Sequence, residues 1–575
     1  MTKYIFVLGG VISGLGKGVT SASIAAILKE IGYNRITVKK LDPYLNVDPG
    51  TLNPIEHGEV YVTQDGGETD LDLGYYERFA DILVQESNST SSGKLLYKLL
   101  QQERRGDFLG KTITMLPHFT NMIKEFIYTD QHKYDIIICE IGGSAGDYEA
   151  NAFFETIRQI KQENAPEDVM ICFLSYLVYY EASKELKTKP TQIGLRQLLS
   201  IGLQADTIFL RSEHLIDDEV KRKICLYGNI KPHNIIPAYN VSSIYQVPLE
   251  YIKEGFLQNL QTKLQLVSLV SSSTSPTFLK WNNLCQRIST VKRTIKLALV
   301  GKYVELEDAY CSVNEAIRHA GWFYDTHVDI QFINARNLPK NIIDVLIAVD
   351  CVLVPGGFGT SGIEEIISVI EYCRTYSKPF FGICLGMQLS VIEFARHILG
   401  KPYATSREFC TTNDTLHQTQ SSDEPRSECI VDLMTEWKQE NNVIQTRTAN
   451  DDLGGTLRLG SYPTRLSAHS RSHYLYGNLD KIYERHRHRY EVNIEYIDEF
   501  EKNGMYFTGL SPDGKLPEIV EIPSHPFFIA CQFHPEFNST PFQPHPLFKG
   551  LIQAALKLQQ HKKMYKYSDT CISIH

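Results

Sequence analysis

The 575-residue sequence is poor in cysteine, in tryptophan, in positive charge and in long apolar runs. Its 12 cysteines, none in a Cys-x-x-Cys pair, are too sparse for a disulfide scaffold. The 58 basic side chains are outnumbered by 67 acidic ones, a formal net charge of −9 that gives no global attraction to nucleic acid or anionic lipid. The most apolar stretch, 342–354, is broken by Asp344 and Asp350, so no membrane span is expected. The apolar segment at the N-terminus is too short for a signal-peptide core and has no small-residue cleavage site. A reduced, soluble, cytoplasmic chain is the expectation, and there a cysteine in an unusual local context points to catalysis before structure.

Hydrophobic residues make up 43% and charged residues 22%, an ordinary globular composition long enough for two or three cores. Short β-branched runs at 4–8, 35–39, 134–140, 169–174, 207–211 and 235–238 read as strands, and 18–31 and 149–161 have helical spacing. That alternation predicts a parallel sheet covered on both faces. A Ser/Thr/Pro stretch at 271–276 reads as linker, after which a second series follows at 294–301, 328–332, 351–354, 379–382 and 529–533. The fold class is therefore α/β, with two parallel-sheet domains at 1–270 and 294–560, a linker at 271–293 and a frayed tail at 561–575. The polar stretch 410–428 reads as a disordered surface loop.

Gly10-Val-Ile-Ser13-Gly14-Leu15-Gly16-Lys17-Gly18-Val19 follows the first strand and opens a helix. Backbone N–H groups and a helix N-terminus in that setting bind phosphate, with Lys17 against the β- and γ-phosphates. Gly18 stands where a P-loop has the Ser/Thr that ligates Mg²⁺, so the metal must rely on carboxylates. Glu140, closing a buried strand at a carboxyl edge, and Asp72 are the candidates; a solvated loop carboxylate is the competing reading for Asp72. Lys187-Thr188-Lys189-Pro190-Thr191-Gln192 fits either a second polyphosphate site or, on composition alone, a solvated turn.

In the second domain, Gly382-Ile-Cys384-Leu385-Gly386-Met387-Gln388 lies between a strand and a helix over 389–397, the thiol form of a nucleophile elbow. His534-Pro-Glu536 supplies a base and its orienting carboxylate, and Pro355-Gly-Gly357-Phe-Gly359 offers backbone N–H groups for an oxyanion. In Glu484-Arg-His-Arg-His-Arg489, an extended backbone puts Arg485, Arg487 and Arg489 on one face, suited to a carboxylate rather than to nucleic acid.

These motifs, with 40–51, Glu56-His-Gly-Glu-Val60, Asp70-Leu-Asp72-Leu-Gly74, Tyr76-Glu-Arg-Phe79, Glu103-Arg-Arg-Gly-Asp107 and Val241-Ser-Ser-Ile-Tyr245, resemble the CTP synthase family over 1–255 and again over 294–560. The resemblance implies an N-terminal P-loop-like amidoligase that phosphorylates UTP with ATP and Mg²⁺, fed with ammonia by a C-terminal class I glutaminase. It places ATP on Gly14, Leu15, Gly16, Lys17, Gly18, Val19, Lys40, Asp72 and Val241, and the metal on Asp72 and Glu140. It places UTP, or CTP as feedback inhibitor, on Ser13, Asp147, Tyr148, Glu149, Lys187 to Gln192 and Lys223. The glutamine site would be Gly357, Leu385, Gly386, Met387, Gln388, Glu408 and Arg489, with Cys384 as nucleophile, His534 as acid/base, and Gly357 and Leu385 as oxyanion donors. A homotetramer and GTP as allosteric activator are implied as well. The chain departs from the family pattern at Tyr148, usually small and aliphatic, at Lys184, usually glycine, at Tyr239-Asn240, and at Ser361, usually an arginine that contacts GTP. An amidoligase acting on another acid, such as a corrinoid, and a catalytically silent filament subunit are the alternatives; the Lys40–Thr51 and Lys187–Gln192 blocks disfavour the first and the intact Lys17, Glu140, Cys384 and His534 the second.

Overall fold

The computed structural model describes residues 2–10, 12–269, 278–410, 428–433, 436–438, 444–446 and 457–572. The expected loop at 410–428 lies almost wholly outside them. The chain forms two units, one of Met1–Pro49 with Thr69–Ser289, the other of Gly50–Glu68 with Thr290–His575.

The first unit carries a seven-stranded sheet in the order Ile235–Tyr239, Thr207–Ser212, Val169–Tyr176, Lys3–Gly9, Ile136–Ile141, Ile36–Asp42 and Ser89–Ser91. Every pairing in it is parallel. Its central strands are buried on both faces, which is why they read as continuous Ile/Val/Phe runs rather than as alternation. Lys3–Gly9 sits mid-sheet, where the strand order reverses, and α/β sheets bind ligands off the carboxyl ends at such a point. The helix Lys17–Glu30 follows directly. Part of the expected linker is not linker: Leu279–Ser289 is a helix whose Trp281 is 2% exposed, its ring 5.5 Å from Phe79 and 6.4 Å from Tyr245. Trp281 and Leu284, three apart, give that helix one apolar face.

In the second unit Thr326–Asn334, Arg293–Gly301, Cys351–Val354, Phe380–Ile383 and Phe528–Cys531 form the expected parallel half of a nine-stranded sheet. Four antiparallel strands extend it, Pro517–Glu521, Tyr506–Leu510, Arg458–Leu466 and Lys481–His488. The segment 50–68, expected in the first domain, belongs here: Arg485 Nη1 donates to Tyr61 Oη (2.9 Å) and to Val62 O (3.0 Å), and the Tyr61 and Phe537 rings lie 5.0 Å apart. The last helix, Pro546–Ile572, runs past the tail boundary expected at 561, anchored by the buried Phe548, Leu551, Ile552 and Ala555.

Candidate functional site

In the first unit, Gly14 and Gly16 adopt positive φ (71° and 86°), turning the chain into the helix at Lys17. Lys17 Nζ donates to Gly143 O (3.1 Å), and burial lowers its pKa, with Glu140 acting the other way. A β-carbon on Gly18 would stand 1.8 Å from Asp72 Oδ1. The hydroxyl residue of an ordinary P-loop is thus missing because the Asp72 carboxylate fills its space. Lys40, 5% exposed, is bonded to Asp72 and lies 3.4 Å from Asp70, 3.4 Å from Glu140 and 3.5 Å from Asp42. Glu140 also accepts from Tyr76 Oη (2.5 Å); burial and the neighbouring Asp72 push its carboxyl up to about 7. Burial opposes the Lys40 charge, but the four carboxyls outweigh it and raise the pKa well above the ordinary value. One buried oxygen of this cluster, Asp42 Oδ2, has no hydrogen-bond partner.

This all-oxygen set fits Mg²⁺. No group of three or more His, Cys, Asp or Glu among the described residues could hold a metal alone. Mg²⁺, however, takes one or two carboxylates and completes its shell with water and substrate phosphate. Sequence reasoning missed Asp42, Asp70 and Tyr76, although all three sit inside quoted motifs; their signal was adjacency to Lys40, Asp72 and Phe79.

The residues expected to hold the pyrimidine nucleotide make local bonds. Asp147 accepts from Ser144 N (2.6 Å), Gln192 donates to Thr188 Oγ1 (2.8 Å) and Thr191 donates to Tyr176 O (3.1 Å). Lys187 is bonded to Glu185, and Lys223 pairs with Glu219 at 2.7 Å. Ser13, Asp147, Tyr148, Glu149, Lys187 and Lys189 are exposed, Tyr148 at 87%, and Val241 is half-buried just beyond Ile235–Tyr239. Lys184 adopts positive φ (51°), the conformation for which glycine is the ordinary choice. Asn240 accepts from Arg211 Nη2 at 2.9 Å.

In the second unit the chain turns sharply at Cys384 (φ 52°, ψ −101°) between Phe380–Ile383 and the helix Leu385–His397. The flanking glycines are required. A β-carbon on Gly382 would lie 2.8 Å from the Gly386 backbone, and one on Gly386 2.4 Å from Val354 O. His534 N donates to Arg485 O (2.7 Å) and its Nδ1 donates to Glu536 Oε1 (2.7 Å), while Nε2 is buried without a hydrogen-bond partner. Burial opposes the imidazolium, but Glu536 and then the Cys384 sulfur raise the His534 pKa to about 10. Cys384, His534 and Glu536 line one cavity of about 70 Å³ with Gly356, Gly357 and Phe358.

Gly357 approaches Leu385, since a β-carbon there would be 3.3 Å from Leu385 Cδ2. Gln388 Nε2 donates to Tyr490 O (3.0 Å) and Gln532 Oε1 (3.3 Å), and Gln532 Nε2 donates to Cys384 Sγ (3.6 Å). Gln532 was missed; its signal was alternation with His534 beyond one strand. Met387 packs wholly into the core. Glu408 accepts from Gly359 N (2.8 Å); burial pushes its carboxyl up, partly offset by that N–H, Lys302 and Arg489. Of the three arginines expected on one face, Arg485 and Arg487 turn to the 50–68 segment, Arg487 bonding Glu68 (2.9 Å), and Arg489 lies in the turn after the strand. Ser361 is exposed, and Glu364 pairs with Arg396 (2.6 Å).

No described helix is long and apolar enough to cross a membrane. Residues 3–266 match the family model "CTP synthase N-terminus" and residues 305–554 the model "Glutamine amidotransferase class-I". The CTP synthase of Geobacillus kaustophilus is 46% identical over 97% of this chain and 100% of its own length. That of Hyphomonas neptunium is 45% identical over 97% and 99%. A Trypanosoma brucei CTPS glutaminase domain with bound acivicin covers 46% of this chain and 94% of its own, with 31% identity and a TM-score of 0.39. On the full-length identity and both matching models, the chain belongs to the CTP synthase family.

Proposed function

We propose a division of labour for the ATP-dependent, glutamine-hydrolysing conversion of UTP to CTP that this ligase performs in pyrimidine biosynthesis. Cys384 attacks the glutamine side-chain amide, and the proton held at His534 Nε2 passes to the leaving ammonia. Water, deprotonated by His534, then cleaves the thioester to glutamate. Glu536 holds the imidazole in place through its bond to Nδ1. Gly357 and Leu385 steady the oxyanion, and Gln388, Glu408 and Arg489 hold the amino-acid end. Gly386 and Met387 contribute the first turn of the helix behind the sulfur.

In the first unit, residues 14–19, Lys40 and Val241 bind ATP, and Lys17 and Lys40 neutralise the transferred phosphoryl group. Mg²⁺, held by Asp72 and Glu140, would supply further charge neutralisation there. Phosphorylation of the UTP C4 oxygen makes phosphate the leaving group that ammonia displaces, and ammonia passes internally because free ammonia is largely protonated at neutral pH. Ser13, Lys187 to Gln192 and Lys223 bind UTP. Asp147, Tyr148 and Glu149 take CTP as feedback inhibitor, and the outward-facing position of these groups suits completion of the site in a homotetramer. Serine at 361 carries no charge and cannot grip a phosphate or base edge bidentately, so GTP activates weakly or only at raised concentration, with Glu364 the surviving contact. Sparse cysteines without a Cys-x-x-Cys pair suit a reduced, cytoplasmic setting.

The observation that carries this reading is the strained Cys384 sharing a cavity with the His534–Glu536 pair. Cys384→Ala is expected to abolish CTP formation from glutamine and to leave formation from ammonia within several-fold of wild type. Loss of both activities would refute it.

A further inference from the structure

Lys302 lies just past the strand Arg293–Gly301 and is 1% exposed. Its ammonium has carbonyls for partners: Nζ donates to Gly359 O at 2.5 Å and to Phe358 O at 3.3 Å. The same two residues are held through their N–H groups, Phe358 N donating to Tyr303 Oη (3.3 Å) and Gly359 N to Glu408 Oε1 (2.8 Å). Tyr310 Oη in turn accepts from Lys302 N (3.0 Å) and Tyr303 N (3.3 Å), fixing the backbone that carries the clamp. Just upstream, β-carbons on Gly356 and Gly357 would stand 2.8 Å from His534 Cε1 and 3.5 Å from Lys302 Cδ. Burying a cation costs several kcal/mol, and an apolar side chain of similar size is often at least as stabilising. A position selected for packing alone would not need the charge.

We propose that Lys302 is a positioning residue of the glutaminase, gripping the Phe358 and Gly359 carbonyls so that the backbone of Gly357 stays fixed beside Cys384. The inference rests on the reading of Cys384 as nucleophile and Gly357 as oxyanion donor, and adds a residue outside that set. Burial lowers the Lys302 pKa to about 8, with Glu408 acting upward and Arg336 downward. Nearby, the Tyr310 hydroxyl accepts from the Lys302 backbone N–H and the Tyr303 hydroxyl donates to the same Phe358 carbonyl. The clamp is therefore at full strength at pH values well below 8, half lost near pH 8, and weaker still as the ammonium gives up its proton above it. His534, held at about 10, stays protonated through that window.

The test is glutamine hydrolysis by the full-length enzyme across the alkaline range, for wild type, Lys302→Met and Lys302→Arg, with ammonia-dependent CTP formation reporting the amount of intact enzyme. Wild type is expected to lose kcat as pH rises through about 8. Lys302→Met should lower kcat at least about tenfold, short of the roughly 10²–10³ that follows outright loss of an oxyanion donor, with KM for glutamine changed less than about threefold and no limb near that pH. Lys302→Arg, charged throughout, should keep kcat within about fivefold and move the limb upward. Methionine within about threefold of wild type, or an arginine variant with the wild-type limb, would overturn the proposal. If the methionine variant does not fold, the wild-type and arginine profiles decide alone. Continued glutamine hydrolysis by Cys384→Ala would instead overturn the underlying reading, whatever Lys302 does.

Discussion

At Gly18 a β-carbon and the Asp72 carboxylate cannot coexist, since the two would stand 1.8 Å apart. Gly18→Ala is expected to push Asp72 away from Lys40 and to lower ammonia-dependent CTP formation at least about tenfold, or ~1.4 kcal/mol of barrier. Glutamine hydrolysis should persist, and ammonia-dependent activity within twofold of wild type would refute the argument. The sequence carried much of this site: the glycine run, Lys17, and the absence of a hydroxyl after it pointed to a carboxylate. It did not carry Asp42 or Asp70, because an aspartate closing a strand, or one standing two residues from another, is common in any chain and only the fold closes the four around Lys40. Lys302 was equally invisible, since its role depends on carbonyls some 57 positions away.

Among the elements, Lys481–His488 does the most varied work. Its Arg485, itself buried, and its Arg487 engage 50–68, its backbone carbonyl at Arg485 receives His534 N, and its other face buries His486 and His488. Beside that face Arg458, 2% exposed, bridges Glu491 (3.0 Å) and Glu518 (2.8 Å). Burial holds His486 well below its usual pKa and raises both glutamates. Arg458→Met is expected to destabilise the unit by about 3–5 kcal/mol at neutral pH, because two buried carboxylates lose their counter-charge. Each carboxyl has a higher pKa folded than unfolded, so the folded variant gains protons as pH falls, and the deficit should shrink as the pH is lowered from neutrality toward the ordinary carboxyl range. Denaturant midpoints at both ends of that range test it; a pH-independent deficit would refute it. The parallel strands were legible as apolar, largely β-branched runs, except Ser89–Ser91, whose Ser-Thr-Ser offers no such run. The antiparallel four were not: Arg458–Leu466 contains Gly460, Ser461 and Pro463, and Lys481–His488 reads as a charged patch until its two faces are separated.

At the scale of the molecule, the division of the chain departs from the simple order of two domains and a linker. Segment 50–68 is coded within the first half and folds with the second. A fragment beginning at residue 290 would expose Arg485 without Tyr61 and Val62, Arg487 without Glu68, and Ser312 without Glu59. Such a fragment is expected to unfold at a lower denaturant concentration than the same fragment with 50–68 joined through a flexible linker, and to hydrolyse glutamine more slowly. Equal midpoints and rates would show the segment to be dispensable. The sequence could not reveal this, since linker composition marks only the break near 271–276, and nothing about 50–68 distinguishes it from the loops on either side.

That segment also sets an order of events at the ribosome. Residues 50–68 emerge more than two hundred positions before their partners from 290 onward. At about 5–20 residues per second, the nascent chain carries this piece for on the order of ten to forty seconds with nothing of its own unit to pair with. The first sheet can close in the meantime, because its strands lie on either side of the excursion, but it must do so around a loop whose Val60, Tyr61 and Val62 are still in water. The enzyme is thus born with a part waiting, and the glutaminase is complete only when late-made strands reach back to a segment made near the beginning.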